Sequence, residues 1–202
     1  MKSALLRVCN VAILLTLAAC VAPAAEEKAI FAGGCFWGVE AVFEHVKGVV
    51  DVRSGYAGGT KDTADYDAVS SGSTKHAESV EIRFDPTKIT YDQLLYIFFA
   101  VAHDPTELNR QGPDVGTQYR SAIFYSSPKQ KKAAEDFIVA IEKSKAFDKK
   151  IVTEVSPLGE FFVAEKYHQD YLKNHPDEPY IVANDLPKLE ALKQKFPELY
   201  RK

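Results

Sequence analysis

Between residues 29 and 46 the chain changes its period at a pair of glycines, and this switch constrains the fold more than any other feature. Ala29, Ile30, Phe31 and Ala32 form a short apolar run stopped by Gly33 and Gly34, as expected of a buried strand. From Phe36 onward, apolar residues fall at 36, 39, 42, 43 and 46, which is the spacing of one helix face. A strand that passes into a helix at two glycines belongs to a layered, mixed architecture. Cys35 stands at the corner, followed by Phe36 and by Trp37, the only tryptophan.

The rest of the chain continues the mixture. The segment Gly48–Gly59 reads as a strand running into a turn, and residues 60–75 read as a polar loop interrupted by Tyr66. Val80, Ile82 and Phe84 alternate, so Ala77–Asp85 is expected to be a half-buried strand. Thr90 is placed to cap a helix that runs toward His103. The stretch 104–120 carries two prolines and two glycines and reads as a long irregular connection, a kind of segment that is usually functional when it is ordered. Residues 121–126 suit a strand. Ser127 and Pro128 suit the cap and first position of a helix reaching about Ser144. Residues 151–156 suit another strand, 160–172 a helix, and 185–202 a last helix broken near Pro197. Repeats and low-complexity segments are absent. With hairpin-like strands early in the chain, the expected class is α+β: a two-layer sandwich of a mixed, mainly antiparallel sheet with helices packed on it.

With 46% hydrophobic and 26% charged residues over 202 positions, the chain can bury one real core. Its net charge is −3 and no basic stripe appears, so nucleic acid is not an expected partner. The start of the chain is different. Lys2 and Arg7 precede an apolar run from Val8 to Ala19, then small residues, the pattern of an export signal and too short for a typical membrane span. Two exits fit. Leu17–Cys20 resembles a bacterial lipobox, which would make residues 1–20 the leader and place a lipid on Cys20. Ala22–Ala24 is an ordinary signal-peptidase site, which moves cleavage as late as residue 24. Either way a single domain follows, over 21–202, and the expected location is exported and periplasmic, membrane-anchored through Cys20 in the first case. Of the three cysteines, Cys9 leaves with the leader, Cys20 is cleaved off or lipidated, and Cys35 alone remains in the folded body. This excludes a disulfide scaffold and a cysteine-based zinc cluster, and no metal site is expected.

A thiol at the first turn of a helix meets free backbone N–H groups and the positive end of the helix dipole. Such surroundings lower a cysteine from about 8.5 into a range of roughly 3.5–7.5, so Cys35 is expected to be an activated nucleophile. Successive helix positions differ by about 100°, so at least one of Phe36 and Trp37 should be displayed beside it.

The segment Gly34–Glu40, "GCFWGVE", resembles the signature of the A-type peptide-methionine sulfoxide reductases. Residues 76–86, 103–125 and 164–172 resemble further blocks of that family in the same order, so the likeness covers Ala29–Asn174. The resemblance implies a ferredoxin-like core and reduction of methionine S-sulfoxide, free or in proteins, to methionine. It implies that Cys35 attacks the sulfoxide sulfur and becomes a sulfenic acid, and that Glu78 donates the proton from a desolvated carboxyl of raised pKa. It implies that Tyr66 and Tyr119 hydrogen-bond the oxygen, that Asp114 organises the site, and that Phe36 and Trp37 wall the S-methyl pocket. His168, Gln169 and Tyr171 are expected to buttress the site. No bound cofactor is implied. The reductant is an external thiol: a thioredoxin-like protein, glutathione or glutaredoxin, or dithiothreitol in vitro. A monomer is expected.

Many family members carry further cysteines near the C-terminus, and some carry one before the "HAE" block. Here Ser70 stands at that second place, Lys75 is an unusual neighbour of His76, and no cysteine follows Cys35. An intramolecular disulfide is ruled out, and a one-cysteine cycle closed by an outside thiol is expected. Two other readings compete: a cysteine hydrolase pairing Cys35 with His76, which lacks an evident third residue to orient the histidine, and a binding module whose Phe36–Trp37 pocket holds an apolar group.

Overall fold

A computed structural model describes residues 25–202. The leader, both exit sites and Cys20 lie outside the described residues. No helix among the described residues is long and apolar enough to cross a membrane.

The corner at residues 33–35 is present. Strand β1 (Glu27–Gly33) ends at the glycines and helix α1 (Phe36–Glu44) begins at once. Then come β2 (Val49–Ala57), the short helix α2 (Tyr66–Ser70), β3 (Ala77–Phe84) and α3 (Tyr91–Ile97), which continues into a π turn at Phe98–Ala102. A two-residue hairpin, β4 (Arg110–Gln111) and β5 (Asp114–Val115), precedes β6 (Ser121–Tyr125). Helix α4 (Pro128–Ser144), β7 (Glu154–Pro157), β8 (Phe161–Val163), α5 (Tyr171–Asn174), α6 (Pro179–Asn184) and α7 (Leu186–Lys195) complete the chain.

The main sheet has the order β7-β6-β1-β3-β2-β8. All its pairs are antiparallel except β6 with β7. The central four strands, with α1 between β1 and β2 and α3 between β3 and β6, have the split βαβ arrangement of a ferredoxin-like core, so the expected α+β class holds. Phe31, Val80, Ile82 and Phe84 face the helices and pack with Val39, Phe43, Leu94 and Phe98. Ile30, Ala32, Ala122 and Phe124 point to the other face, with Leu158 and Phe161 over them.

Caps fix the helices where the sequence places them. Thr90 Oγ1 accepts from the Gln93 N–H while Gln93 Oε1 accepts from the Thr90 N–H, a capping box that starts α3. Ser127 accepts from the Gln130 N–H ahead of Pro128.

Four local expectations are corrected. Residues 77–82 are buried on both sides, because β3 lies between β1 and β2 and side chains cover both sheet faces. Residues 60–75 are not only loop: a 3₁₀ turn at Lys61–Thr63 and α2 order them, with Asp65 capping the latter. The helix expected over 160–172 is instead β8, a 3₁₀ turn at Lys166–His168 and α5. Pairing of Tyr56 with Phe162 on the sheet edge outweighs the helical spacing. Finally, the sequence reading has no helix over 179–184, where α6 lies; the break expected near Pro197 is present, with α7 ending at Lys195.

The C-terminal segment straps onto α1. Arg201 donates to the Glu44 carbonyl, Val46 bridges Tyr200, and Ile181 and Leu172 pack on Ala41.

Candidate active site

Two glycines make the corner that carries the thiol. Gly34 has φ +92°, a conformation that favours glycine, and a Cβ there would lie 2.6 Å from Gln111 Cβ. A Cβ on Gly33 would meet Phe98 at 2.9 Å and His103 at 3.1 Å. Cys35 is the residue immediately before α1. It is 8% exposed and belongs to the core as well as to the site.

Its electrostatics correct the sequence expectation. Burial first, then the neighbouring acidic groups Glu78 and Asp185, push the Cys35 thiol well above its ordinary range; the Trp37 N–H and Lys188 oppose them. The helix N-terminus does act on the sulfur, but desolvation and two acids outweigh it. Burial therefore disfavours the thiolate at Cys35.

Glu78 reaches this corner because of strand register. Phe31 lies opposite Val80, so Glu78, two residues earlier on β3, comes level with the end of β1 on the helix-packed face. It is 2% exposed and accepts the Phe36 N–H at 3.1 Å. Burial pushes its carboxyl up to about 8 against the opposing Phe36 N–H, with Asp114 adding to the rise. The carboxyl is buried, and its shift runs in the direction that the resemblance implies.

Tyr66, Tyr119 and Asp114 converge on the same place. Burial, then the neighbouring acidic groups Glu78 and Cys35, raise the Tyr66 phenol. Burial, Glu78, Asp114 and Cys35 raise Tyr119. Both stay protonated donors. Asp114 sits on the β4–β5 hairpin and accepts the Tyr180 hydroxyl. Phe36 is buried against Tyr56 and His168. Trp37 is half-buried, stacked on Tyr171 with centroids 3.6 Å apart and donating to His168 Nδ1 at 3.2 Å. One of the two aromatics is therefore displayed, as helix geometry requires. Gln169 buttresses the neighbourhood by donating to the Ser54 and Ala164 carbonyls.

Several groups at the site were not anticipated. Glu165 accepts the Tyr66 N–H at 2.9 Å and the Tyr56 hydroxyl at 2.8 Å, fixing α2 against β2. Tyr180, Asn184 and Lys188 line a cavity of about 100 Å³ with Cys35, Asp114 and Gln111–Pro113. Asp185 pairs with Lys188 at 3.0 Å. The one sequence signal for these last two was their helical i, i+3 spacing, which is common on exposed helices.

His76 does not serve Cys35. Its Nε2 bonds the Thr60 carbonyl at 3.0 Å and its ring packs on Phe162, contacts that do not join it to Cys35 as a cysteine hydrolase requires. The described residues hold no cluster of three or more potential metal ligands.

The model of the peptide methionine sulfoxide reductase family matches residues 27–200. The chain is 57% identical over 175 residues to "Peptide methionine sulfoxide reductase MsrA 2" of Mesorhizobium japonicum, covering 87% of this chain and 90% of that one. It is also similar to the crystal structure of Mxr1 from Saccharomyces cerevisiae in reduced form, with TM-score 0.72 and 35% identity over 77% of this chain and 89% of that one. Mxr1 in complex with Trx2 is a more distant match, with TM-score 0.52 and 26% identity over 74% and 87% of the two chains. Together with the corner, the buried acid and the two phenols near it, these matches place the chain in the peptide methionine sulfoxide reductase family.

Proposed function

We propose that this chain reduces methionine S-sulfoxide, free or in proteins, to methionine through Cys35 and regenerates Cys35 with an outside thiol. The observation that carries the reading is that buried Glu78 accepts the N–H of Phe36, the neighbour of Cys35, the one free cysteine among the described residues.

The two raised groups fit one reaction. Burial raises both Cys35 and Glu78, which favours the protonated forms of the reacting pair. A bound sulfoxide presents an electrophilic sulfur to Cys35 and a basic oxygen to Glu78. As the Cys35 sulfur attacks, Glu78 protonates the oxygen and the thiol proton restores Glu78. The oxygen ends on Cys35 as a sulfenic acid and methionine leaves. The substrate sulfur gains two electrons and Cys35 loses two. Tyr66 and Tyr119, kept protonated, donate to the oxygen as charge develops on it. Trp37, with Phe36 beneath it, forms the apolar wall for the methyl group, and Asp114 helps hold the site in place.

No cysteine follows Cys35 in this sequence, which supports a cycle in which an external thiol reduces the sulfenic acid without a resolving disulfide inside the chain. A thioredoxin-like protein is the favoured partner, supported by the Trx2 complex of the yeast relative; glutathione, glutaredoxin and dithiothreitol are the small-scale alternatives. The exported location, Cys20 lipidation and repair of oxidised exported proteins rest on the leader pattern, and the intact mass of the mature protein tests them. A monomer is part of the same reading, checked by sedimentation.

Turnover of dabsyl-labelled methionine S-sulfoxide with dithiothreitol tests the function. Wild type should turn over and Cys35→Ser should not. A fully active Cys35→Ser variant would instead support an apolar binding module or another centre.

A further inference from the structure

The C-terminal helices bring to Cys35 a second set of groups that oxygen transfer does not use. The cavity at Cys35 is lined by Asp114 from the hairpin and by Tyr180, Asn184 and Lys188 from α6 and α7. The hairpin and the C-terminal helices thus form one wall of the space that Cys35 faces.

Lys188 is fixed on that wall. Its Nζ lies 3.0 Å from Asp185 Oδ1, and its side chain stays 22% exposed while that of Asp185 is 0% exposed. The ammonium therefore meets both the cavity and solvent. Asp185 presses on α1 at Gly38, where a Cβ would come within 2.0 Å of Oδ1. Its other oxygen, Oδ2, has no hydrogen-bond partner. A glycine within a helix weakens that helix, and a buried ion pair is seldom more stabilising than apolar side chains of the same volume. Fold stability therefore does not account for this arrangement. It does deliver one positive charge to the cavity that Cys35 lines.

We propose that Lys188, positioned by Asp185, supplies the charge that stabilises thiolate at Cys35 while an external thiol regenerates it. This rests on the one-cysteine cycle above. In the first step the outside thiolate attacks the Cys35 sulfenic sulfur. An S–S bond forms, the S–O bond breaks, and hydroxide leaves as water with the proton the thiol gave up. In the second step another thiolate attacks the outer sulfur of that mixed disulfide. Cys35 departs as thiolate and takes up the second thiol's proton. Cys35 is reduced by two electrons and two thiols become a disulfide. Each step puts a thiolate beside Lys188, first the incoming one and then Cys35, and a nearby cation favours both.

The test separates the half-reactions in wild type, Lys188→Met and Lys188→Arg. Methionine release is timed in a single turnover without thiol. The oxidised enzyme is then mixed with 2-mercaptoethanol, and loss of dimedone-reactive Cys35 is followed by intact mass. Lys188→Met should slow the thiol reaction about tenfold more than it slows oxygen transfer, and Lys188→Arg should recover to within about threefold of wild type. Equal slowing of both half-reactions, no slowing of the thiol reaction, or an arginine variant as impaired as the methionine one would overturn the proposal alone. If wild type forms no sulfenic acid at all, the one-cysteine cycle fails and takes the proposal with it.

Discussion

Replacing Glu78 by glutamine keeps the shape and the acceptor for the Phe36 N–H but removes the transferable proton. The structure sets the size of the effect on stability. Burial raises this carboxyl from 4.5 to about 8, so between those values the folded state holds a proton that the unfolded chain has lost. The stability tied to that proton is fully present below 4.5 and is lost as pH rises through about 8. Between about pH 5 and pH 8 the loss amounts to roughly 3–4 kcal/mol. Glu40, also raised to about 8 by burial, titrates in both proteins and cancels in their difference. Urea unfolding of wild type and Glu78→Gln at the two pH values should therefore show the variant gaining, relative to wild type, by roughly 3–4 kcal/mol on going up. In single-turnover assays at neutral pH, the variant should form methionine about 10²-fold or more slowly, the scale of a lost general acid. Wild-type activity should fall above about pH 8 as Glu78 ionises, and the variant should lack that limb. A stability difference that does not move with pH, together with parallel activity profiles, would mean that Glu78 is an ordinary ionised carboxylate and that the proton comes from elsewhere.

Other perturbations report on the scaffold. Gly38→Ala should cost about 1–3 kcal/mol in urea unfolding, because the new methyl meets Asp185; combining it with Asp185→Gly should recover part of that loss. Glu165→Ala strips the partner from the buried Tyr56 hydroxyl and frees the Tyr66 backbone; it should destabilise by about 1–3 kcal/mol and raise KM for the sulfoxide. Thr90→Ala breaks the capping box of α3, costing about 1 kcal/mol in a thermal or urea melt, with kcat/KM unchanged.

The sequence made the corner legible because three local signals agreed there: an apolar strand, two glycines and a helical period. The caps at Thr90 and Ser127 were legible for the same reason. The helix expected over 160–172 failed because the β2 edge offers Gly55, Tyr56 and Ala57 for pairing, a tertiary contact that spacing does not record. Glu78 could be read as a proton donor only through its family block, since on periodicity alone it is a strand carboxylate. The thiol showed the opposite error. The helix terminus pointed to a lowered Cys35, and only the packed structure reveals that burial, Glu78 and Asp185 prevail. Tyr180, Asn184 and Lys188 were hidden because they lie about 150 residues from Cys35 and reach it through the docking of α6 and α7 on α1.

The most direct test of the central claim is the product of one turnover without any thiol. Purified reduced enzyme, mixed with excess methionine S-sulfoxide, should release one methionine per chain and then stop, with Cys35 carrying one added oxygen in intact and peptide mass spectra. Addition of dithiothreitol should remove that oxygen and restart turnover. Sustained methionine formation with every outside thiol excluded, or an oxygen-free Cys35 after the burst, would contradict it.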